Sequence, residues 1–598
     1  MHVQVVSVGT ASSTQQPLVS SLPASFQWLR RCILGFALLK HLISVFYLAA
    51  QIVIFHRMNR TQADIVHAYA LPTVGVVYMC LVAIHIASIL HRIARAAGLC
   101  FVSSKARPST CHPIAWVLSW LSQPSALAAY NLVELGCQSY EAFAFTTKLI
   151  DPTLVAVYVV FVALHAMLAP WGLHQRSTPR LLFVNWLSSL LTFYLSCVLH
   201  IVGLTLPLLY FTFIDSTVNR DPLWLTRNVL YADFIFVTSP LDFVAKVVVH
   251  VGSLVSISRL VAAVDRVYSL NHRSKLDSGQ LSRGFRLYRF CSTIWGAVLL
   301  GSLVHAFYGR QACPSTCAAY VTPLWTTDCQ CMYIHVNCHA LGHDDVDAAL
   351  QPSRLSAHAI SLLMSRCDLP DGINATTLNQ FESLNYIGVK FTNTSTWRGP
   401  LPPSTVIVAI EYAAFTTVPD ILTTNVPSSL GAVWLNNLPL TTPITIPHAW
   451  AKLTFLGLNN LTLSALPSNV TSLNLSYLFV HMNELTILPS QSNQVASLTY
   501  VDASANVLHE GPWSLLQPGS TLLLCENPFL NNTAALDTIE PVLRQAYLTK
   551  ANQACGPLCA PTCFPYFLGD HTCHLSCFNA ACDYDHGDCD AFGFDRLG

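Results

Sequence analysis

Leu430-Gly-Ala-Val433-Trp-Leu435-Asn436 and, 23 residues on, Leu453-Thr-Phe-Leu456-Gly-Leu458-Asn459 repeat one phrase, with apolar residues at the first, fourth and sixth positions. The same spacing leads back to Ile407, with Ile410 and Tyr412, and to Leu384, with Ile387 and Val389. Less regular units follow at Val470, Leu473 and Leu475, and at Leu498, Val501 and Ala503; Leu522, Leu524 and Asn527 close the array. A unit this short cannot bury its own apolar side chains, so the pattern predicts copies stacked strand beside strand around one continuous core. Side chains alternate along a strand, which turns the third, fifth and seventh positions to the opposite face. The candidate ligand contacts on that face are Tyr386, Glu411, Trp434, Phe455, Tyr500 and Asp502, with Lys390, Asn436 and Asn459 among them. Aromatics interleaved with single charges are the composition of interface anchors.

The array resembles leucine-rich repeats. That resemblance implies a solenoid whose concave sheet receives a protein or glycan ligand. An irregular apolar β domain is the alternative, since several units lack the usual asparagine. Repeats are expected over 376–530, between a Cys-rich cap at 310–375 and a second cap at 531–558 that Cys525 and Cys555 close. The pairing of Cys313, Cys317, Cys329, Cys331, Cys338 and Cys367 stays open.

The rest of the 598 residues is of another kind, for the chain is 53% hydrophobic and only 10% charged. That balance belongs to a membrane protein. Net charge is zero and no long basic run occurs, so nothing argues for a nucleic-acid partner. Stretches at 32–55, 68–90, 152–173, 182–204 and 287–308 are long enough to cross a bilayer. Two more are ambiguous: 114–135 is interrupted by Gln123-Pro124, and 242–260 carries Lys246. Counting both, with a cytoplasmic tail at 1–31 and no cleavable signal peptide, leaves fifteen Lys and Arg in inside loops and five outside. The positive-inside rule favours that arrangement, about seven helices over 32–309. The last helix then exits outward, toward the oxidising side that fourteen clustered cysteines need. The sequons at Asn374, Asn393, Asn460, Asn469, Asn474 and Asn531 need the same side to be glycosylated. The expected location is the plasma membrane, amino terminus cytoplasmic and carboxyl terminus extracellular. Asn474 falls on an outward strand position in this register, so a glycan there would crowd the concave face.

From Cys559 the spacing runs through Cys563, Cys573, Cys577 and Cys582 to Cys589, ending Cys582-Asp-Tyr-Asp585-His-Gly-Asp588-Cys589, before a tail at 590–598. The segment 559–589 resembles a Lin-12/Notch repeat. The resemblance implies disulfides Cys559–Cys582, Cys563–Cys577 and Cys573–Cys589, and a structural calcium ion with ligands Asp570, Asp585 and Asp588. Phe578 stands where the family usually has asparagine, and His586 replaces a glycine. A disulfide knot with merely solvated aspartates is the alternative.

His335, His339 and His343, followed by Asp344 and Asp345, would share one face of a helix and could ligate zinc or copper; surface histidines in a cap are the plainer reading. Lys40, Asp242, Lys246, His41, His85, His165, His200 and His250 lie inside apolar segments, where ionisable groups are costly and mark function by default. Asp242 and Lys246 can pair across one helical turn. No hydrolase, nucleotide-binding or metalloprotease motif occurs, so no enzyme is expected. The expected function is a cell-surface receptor-like or adhesion protein that binds a protein or glycan. The alternative is a transporter or channel with an accessory lumenal repeat domain. A signal would need a cytoplasmic partner, which the sequence does not identify. The basic loop 259–289 could dock such a partner or serve only to set topology.

Overall fold

Apolar runs too long for strands form helices α1 (Ala24–Arg57), α2 (Leu71–Ala96), α3 (Pro124–Lys148), α4 (Pro152–Leu168), α5 (Thr178–Phe193), α6 (Leu206–Phe213), α7 (Pro222–Ile235), α8 (Pro240–Ser269) and α9 (Arg283–Tyr308). This computed structural model describes residues 24–57, 68–96, 124–173, 178–215, 217–269, 283–467, 469–488, 498–531 and 536–596. The first part of the expected tail, 1–23, together with 114–123 and the middle of the basic loop, 270–282, lies outside them. Asp151 and Asp221 start α4 and α7, their carboxylates accepting the N–H of Thr153 at 2.9 Å and of Leu223 at 2.8 Å. Each is followed by a proline, whose missing N–H costs nothing in a first turn. α5 and α6 form one rod interrupted by two π turns, Tyr194–Val198 and Ile201–Thr205.

Six spans among the described residues are long and apolar enough to cross a membrane: Trp28–His56, Leu71–Ala94, Pro152–Gly172, Arg180–Phe211, Pro240–Val264 and Gly284–Tyr308. That is consistent with a membrane protein. The seventh expected span, 114–135, falls partly on 114–123, outside the described residues; the described part lies in α3, which runs on to Lys148 and buries Glu134 and Glu141 within the bundle. The other ambiguous stretch, 242–260, is spanning in character, and its Lys246 meets Asp242 at 2.6 Å.

The second half forms a ten-stranded sheet in strict chain order: β1 (Cys317–Val321), β2 (Gln330–Asn337), β3 (Ser361–Ser365), β4 (Tyr386–Lys390), β5 (Ile407–Glu411), β6 (Ala432–Asn436), β7 (Phe455–Asn459), β8 (Tyr477–Phe479), β9 (Tyr500–Asp502) and β10 (Thr521–Leu523). Only β1 and β2 pair antiparallel. Register aligns Ile387, Val408, Val433, Leu456, Leu478, Val501 and Leu522 in one buried row. Between strands, Asn483, Asn506 and Asn527 turn inward and satisfy the return segments; Asn506 donates to Val480 O at 3.0 Å and accepts from Leu485 N at 3.0 Å. Trp397 and Trp450 fill the core with their indole N–H groups satisfied by Ile373 O and Leu422 O, at 2.9 and 2.8 Å.

Four expectations need correction. β2 and β3 lie inside the segment read as a cap, yet they continue the same sheet. In β5 the core residues are Val408 and Ile410, with Ile407 on the other face beside Tyr386. The unit expected at 470–475 is instead built on Leu475, Leu478 and Val480, and the exposed Asn474 precedes β8 rather than standing on the sheet. The three histidines share no helix: His335 is in β2, His339 in the single turn Cys338–Leu341, and His343 follows Gly342 at φ 73°. His335 Nε2 lies 2.9 Å from Ser365 Oγ.

Disulfides Cys313–Cys329, Cys317–Cys331 and Cys338–Cys367 staple the start of the sheet domain. Cys525–Cys555 ties the last strand to α10 (Pro541–Ala554). The sheet docks on the bundle through apolar contacts of Leu230 with Val321, Met332 and Ile360. Thr226 Oγ1 also donates to Ser361 Oγ at 2.6 Å, and Trp325 stacks on Phe143 with ring centroids 5.2 Å apart.

Candidate binding cavity

The C-terminal segment carries disulfides Cys559–Cys582, Cys563–Cys577 and Cys573–Cys589. So small a unit needs such staples to hold one shape. It folds back over the face of the sheet that is turned away from the core. Tyr566 donates its hydroxyl to Asp502 Oδ2 at 2.9 Å, and Leu575 N donates to Tyr412 Oη at 3.3 Å. Phe567 stands between His481 and His574, with ring centroids at 5.1 and 4.0 Å. At its end, Arg366 donates to Gly593 O at 2.6 Å, and Phe391 packs on Phe592 and Phe594 at 4.9 Å each.

A third wall comes from the helices. Arg220, in the turn between α6 and α7, pairs with Asp570 of the module and lies 5.5 Å over the Phe479 ring. Beside it His571 Nε2 is 3.2 Å from Asp215 Oδ2. Sheet, module and turn together enclose a cavity of 750 Å³. That volume suits a small ligand or one projecting part of a large one.

The floor is aromatic: Trp434 lies 4.3 Å from Phe455 and 5.0 Å from Phe479, which in turn lies 5.0 Å from Tyr500. Glycine at 457 makes room for the indole, because a Cβ there would come within 2.5 Å of Trp434 Cε3. Polar groups stand in pairs around the rings. Lys390 Nζ is 3.1 Å from Glu411, His481 Nδ1 is 3.3 Å from Asp502, and Asn459 donates to Asn436 at 2.9 Å. Burial works to raise the Asp502 carboxyl, but the His481 imidazole and the Ser504 N–H outweigh it and hold it below the usual range. Asp570 is likewise pushed up by burial and held down by the stronger combined pull of Arg220 and His574. His574 is lowered by burial and raised by Asp570, with the net shift upward.

All six residues expected as ligand contacts line this cavity, but they do not form an open surface. Tyr386, Glu411 and Asp502 are buried, and Trp434, Phe455 and Tyr500 are half-covered. Sequence reasoning missed Tyr477, Phe479 and His481, because it set the fifth regular unit too early. It also missed Arg220, which meets Asp570 from 350 residues away and carries no local signal.

The three aspartates read as calcium ligands are placed unequally. Asp585 is fully buried, with Oδ2 accepting the His574 N–H at 2.7 Å and Oδ1 without a hydrogen-bond partner. Burial pushes its carboxyl up to about 7, despite His574, and Asp588 rises to about 6 through burial and the neighbouring Asp570. An orphaned carboxylate oxygen amid like charge fits a bound divalent cation. Asp570, by contrast, already has its charge answered by Arg220. Phe578 packs against Tyr584 and Phe594, with ring centroids at 5.4 and 5.8 Å. Comparison with known proteins finds no family model that matches the chain and no curated protein similar to it.

Proposed function

We propose that this chain is a cell-surface receptor-like or adhesion protein whose sheet is a leucine-rich-repeat array and whose C-terminal unit is a Lin-12/Notch-like module. Its ligand is a protein or glycan that inserts a short segment into the cavity between them. The observation that carries the reading is the aromatic floor ringed by paired charges, enclosed within 750 Å³. Flat rings stack on sugar faces or apolar side chains, and the Lys390–Glu411 and His481–Asp502 pairs supply oriented donors and acceptors. Calcium belongs to this reading as a structural ion held through Asp585 and Asp588, with oxygen ligands that suit it.

The test is binding of the full-length protein in detergent to a panel of secreted proteins, cell-surface proteins and glycans, with and without calcium, beside Trp434→Ala. A saturable partner that the variant loses is the expected result. A folded protein that binds nothing on the panel, or a partner that Trp434→Ala retains, overturns the cavity as the binding site.

A further inference from the structure

The helical bundle contains a second set of buried groups that the cavity does not use, and they fall at three levels along α8. Nearest the sheet domain, Lys246 Nζ holds Asp242 at 2.6 Å and Phe236 O at 2.9 Å. Glu141 of α3, buried at the same end, has an Oε1 without a hydrogen-bond partner. One turn deeper, His250 meets the rings of Tyr47 on α1 and Tyr78 on α2, at 5.9 and 5.8 Å. Tyr47 in turn stacks on His200 at 5.7 Å. Deeper still, His41 Nδ1 and His85 Nδ1 are 2.8 Å apart, and Lys40 Nζ, from the same stretch of α1 as His41, donates to Ser189 O, Thr192 Oγ1 and Ser256 Oγ at 2.9, 3.1 and 3.0 Å. Off this line, His165 Nδ1 meets Gln138 at 2.8 Å, and Gln138 donates to Glu134 at 3.1 Å. Asp242 and Ser256 are 14 residues apart on α8, about 21 Å at 1.5 Å per residue, which covers most of the roughly 30 Å hydrocarbon layer.

A packing role accounts for the Asp242–Lys246 pair, since each answers the other's charge. It does not account for His41 Nε2 and His200 Nδ1, which are buried without a hydrogen-bond partner, like Glu141 Oε1. Nor does it explain why His200 sits between the two π turns, a distortion that recurs at functional sites. We propose that the bundle conducts protons along this line, from Asp242, Lys246 and Glu141 through His250 and His200 to the His41–His85 pair. Each imidazole takes a proton on one ring nitrogen and releases the proton held on the other, so charge and atoms balance at every step, and water bridges the levels. At 2.8 Å between His41 and His85 a proton passes within the hydrogen bond. Charged groups facing the line at its ends are Lys148 beside Glu141, Arg92 beside His41 and Arg259 beside Glu134.

The test uses the full chain in lipid vesicles loaded with a pH-sensitive dye, with uptake driven by a potassium diffusion potential set by valinomycin. Proton uptake at least about tenfold above protein-free vesicles is expected, a gain of about 1.4 kcal/mol in barrier terms. Uptake falls to the protein-free rate in His250→Gln, which keeps amide hydrogen bonds but does not titrate. Arg398→Ala, at an exposed ion pair of the sheet domain outside both sites, keeps the full rate, so a loss in the histidine variant belongs to the bundle. Uptake no faster than in protein-free vesicles overturns the proposal, as does a full rate in a His250→Gln protein that elutes as the native species.

Discussion

Asp570 is almost wholly buried, and its charge is answered from the other half of the chain. Removing Arg220 leaves that carboxylate with only His574 Nε2, at 3.4 Å, to answer it, and breaking a buried pair from one side costs up to roughly 3–5 kcal/mol. Arg220→Ala is therefore expected to loosen the C-terminal module, read as faster proteolysis of the 555–559 link, while Asp570→Asn in the same background restores part of the resistance by removing that charge. No recovery in the double variant would mean that Arg220 acts through its packing on Phe479. His586 offers an independent test. It lies in a run of left-handed residues, with φ 50° at Asp583, 50° at Tyr584, 60° at Asp585 and 49° at itself. A side chain there pays about 1–2 kcal/mol that glycine does not. His586→Gly is expected to stabilise the module by about 1 kcal/mol, measured as a raised melting temperature.

At the scale of the element, the module's titrating groups set its stability against pH. Asp585 and Asp588 have folded values raised to about 7 and about 6, so the folded module favours their neutral forms, and stability falls as pH climbs from the unfolded carboxylate range through those values. His574 is also raised, so its contribution is present in acid and is lost as pH rises. Asp570, lowered, runs the other way and matters only as pH falls through its own depressed value. Without calcium, thermal unfolding of the module should come at higher temperature near pH 5 than near pH 7.5, and calcium should reverse the order by favouring ionised Asp585. A calcium-insensitive profile would remove the ion from the proposed module. The strands show why part of the sheet was legible beforehand. In β5 the run from Ile407 to Ile410 is apolar throughout, so a slip of two residues leaves Ile410 on the core side in either register and Glu411 on the open side. In β8 the misplacement was five residues, an odd number, which exchanges the faces and conceals Tyr477, Phe479 and His481.

Over the whole molecule, hydropathy located the helical region and periodicity located the sheet, since both are local signals. The module's return over the sheet rests on contacts such as Tyr566 with Asp502 and Arg220 with Asp570, between segments that share no pattern, so no sequence window contains them. The same arrangement decides which sequons can carry glycans, provided the sheet domain faces the secretory lumen. Asn374 and Asn474 are exposed. Asn460 is half-buried in the cavity wall, with its amide donating to Asn437 at 2.7 Å, and Asn469 donates to Ile446 O at 2.9 Å. Glycosylation replaces one hydrogen of that half-buried amide nitrogen with a sugar, so a glycan at Asn460 would fill the space proposed for the ligand. Mass-spectrometric site mapping of the protein from a secretory host should find Asn374 and Asn474 occupied and Asn460 bare. A glycan at Asn460 would close the cavity to any ligand, and bare asparagines at all the sequons would put the sheet domain on the opposite side of the membrane, where neither its disulfides nor a cell-surface partner could be reached.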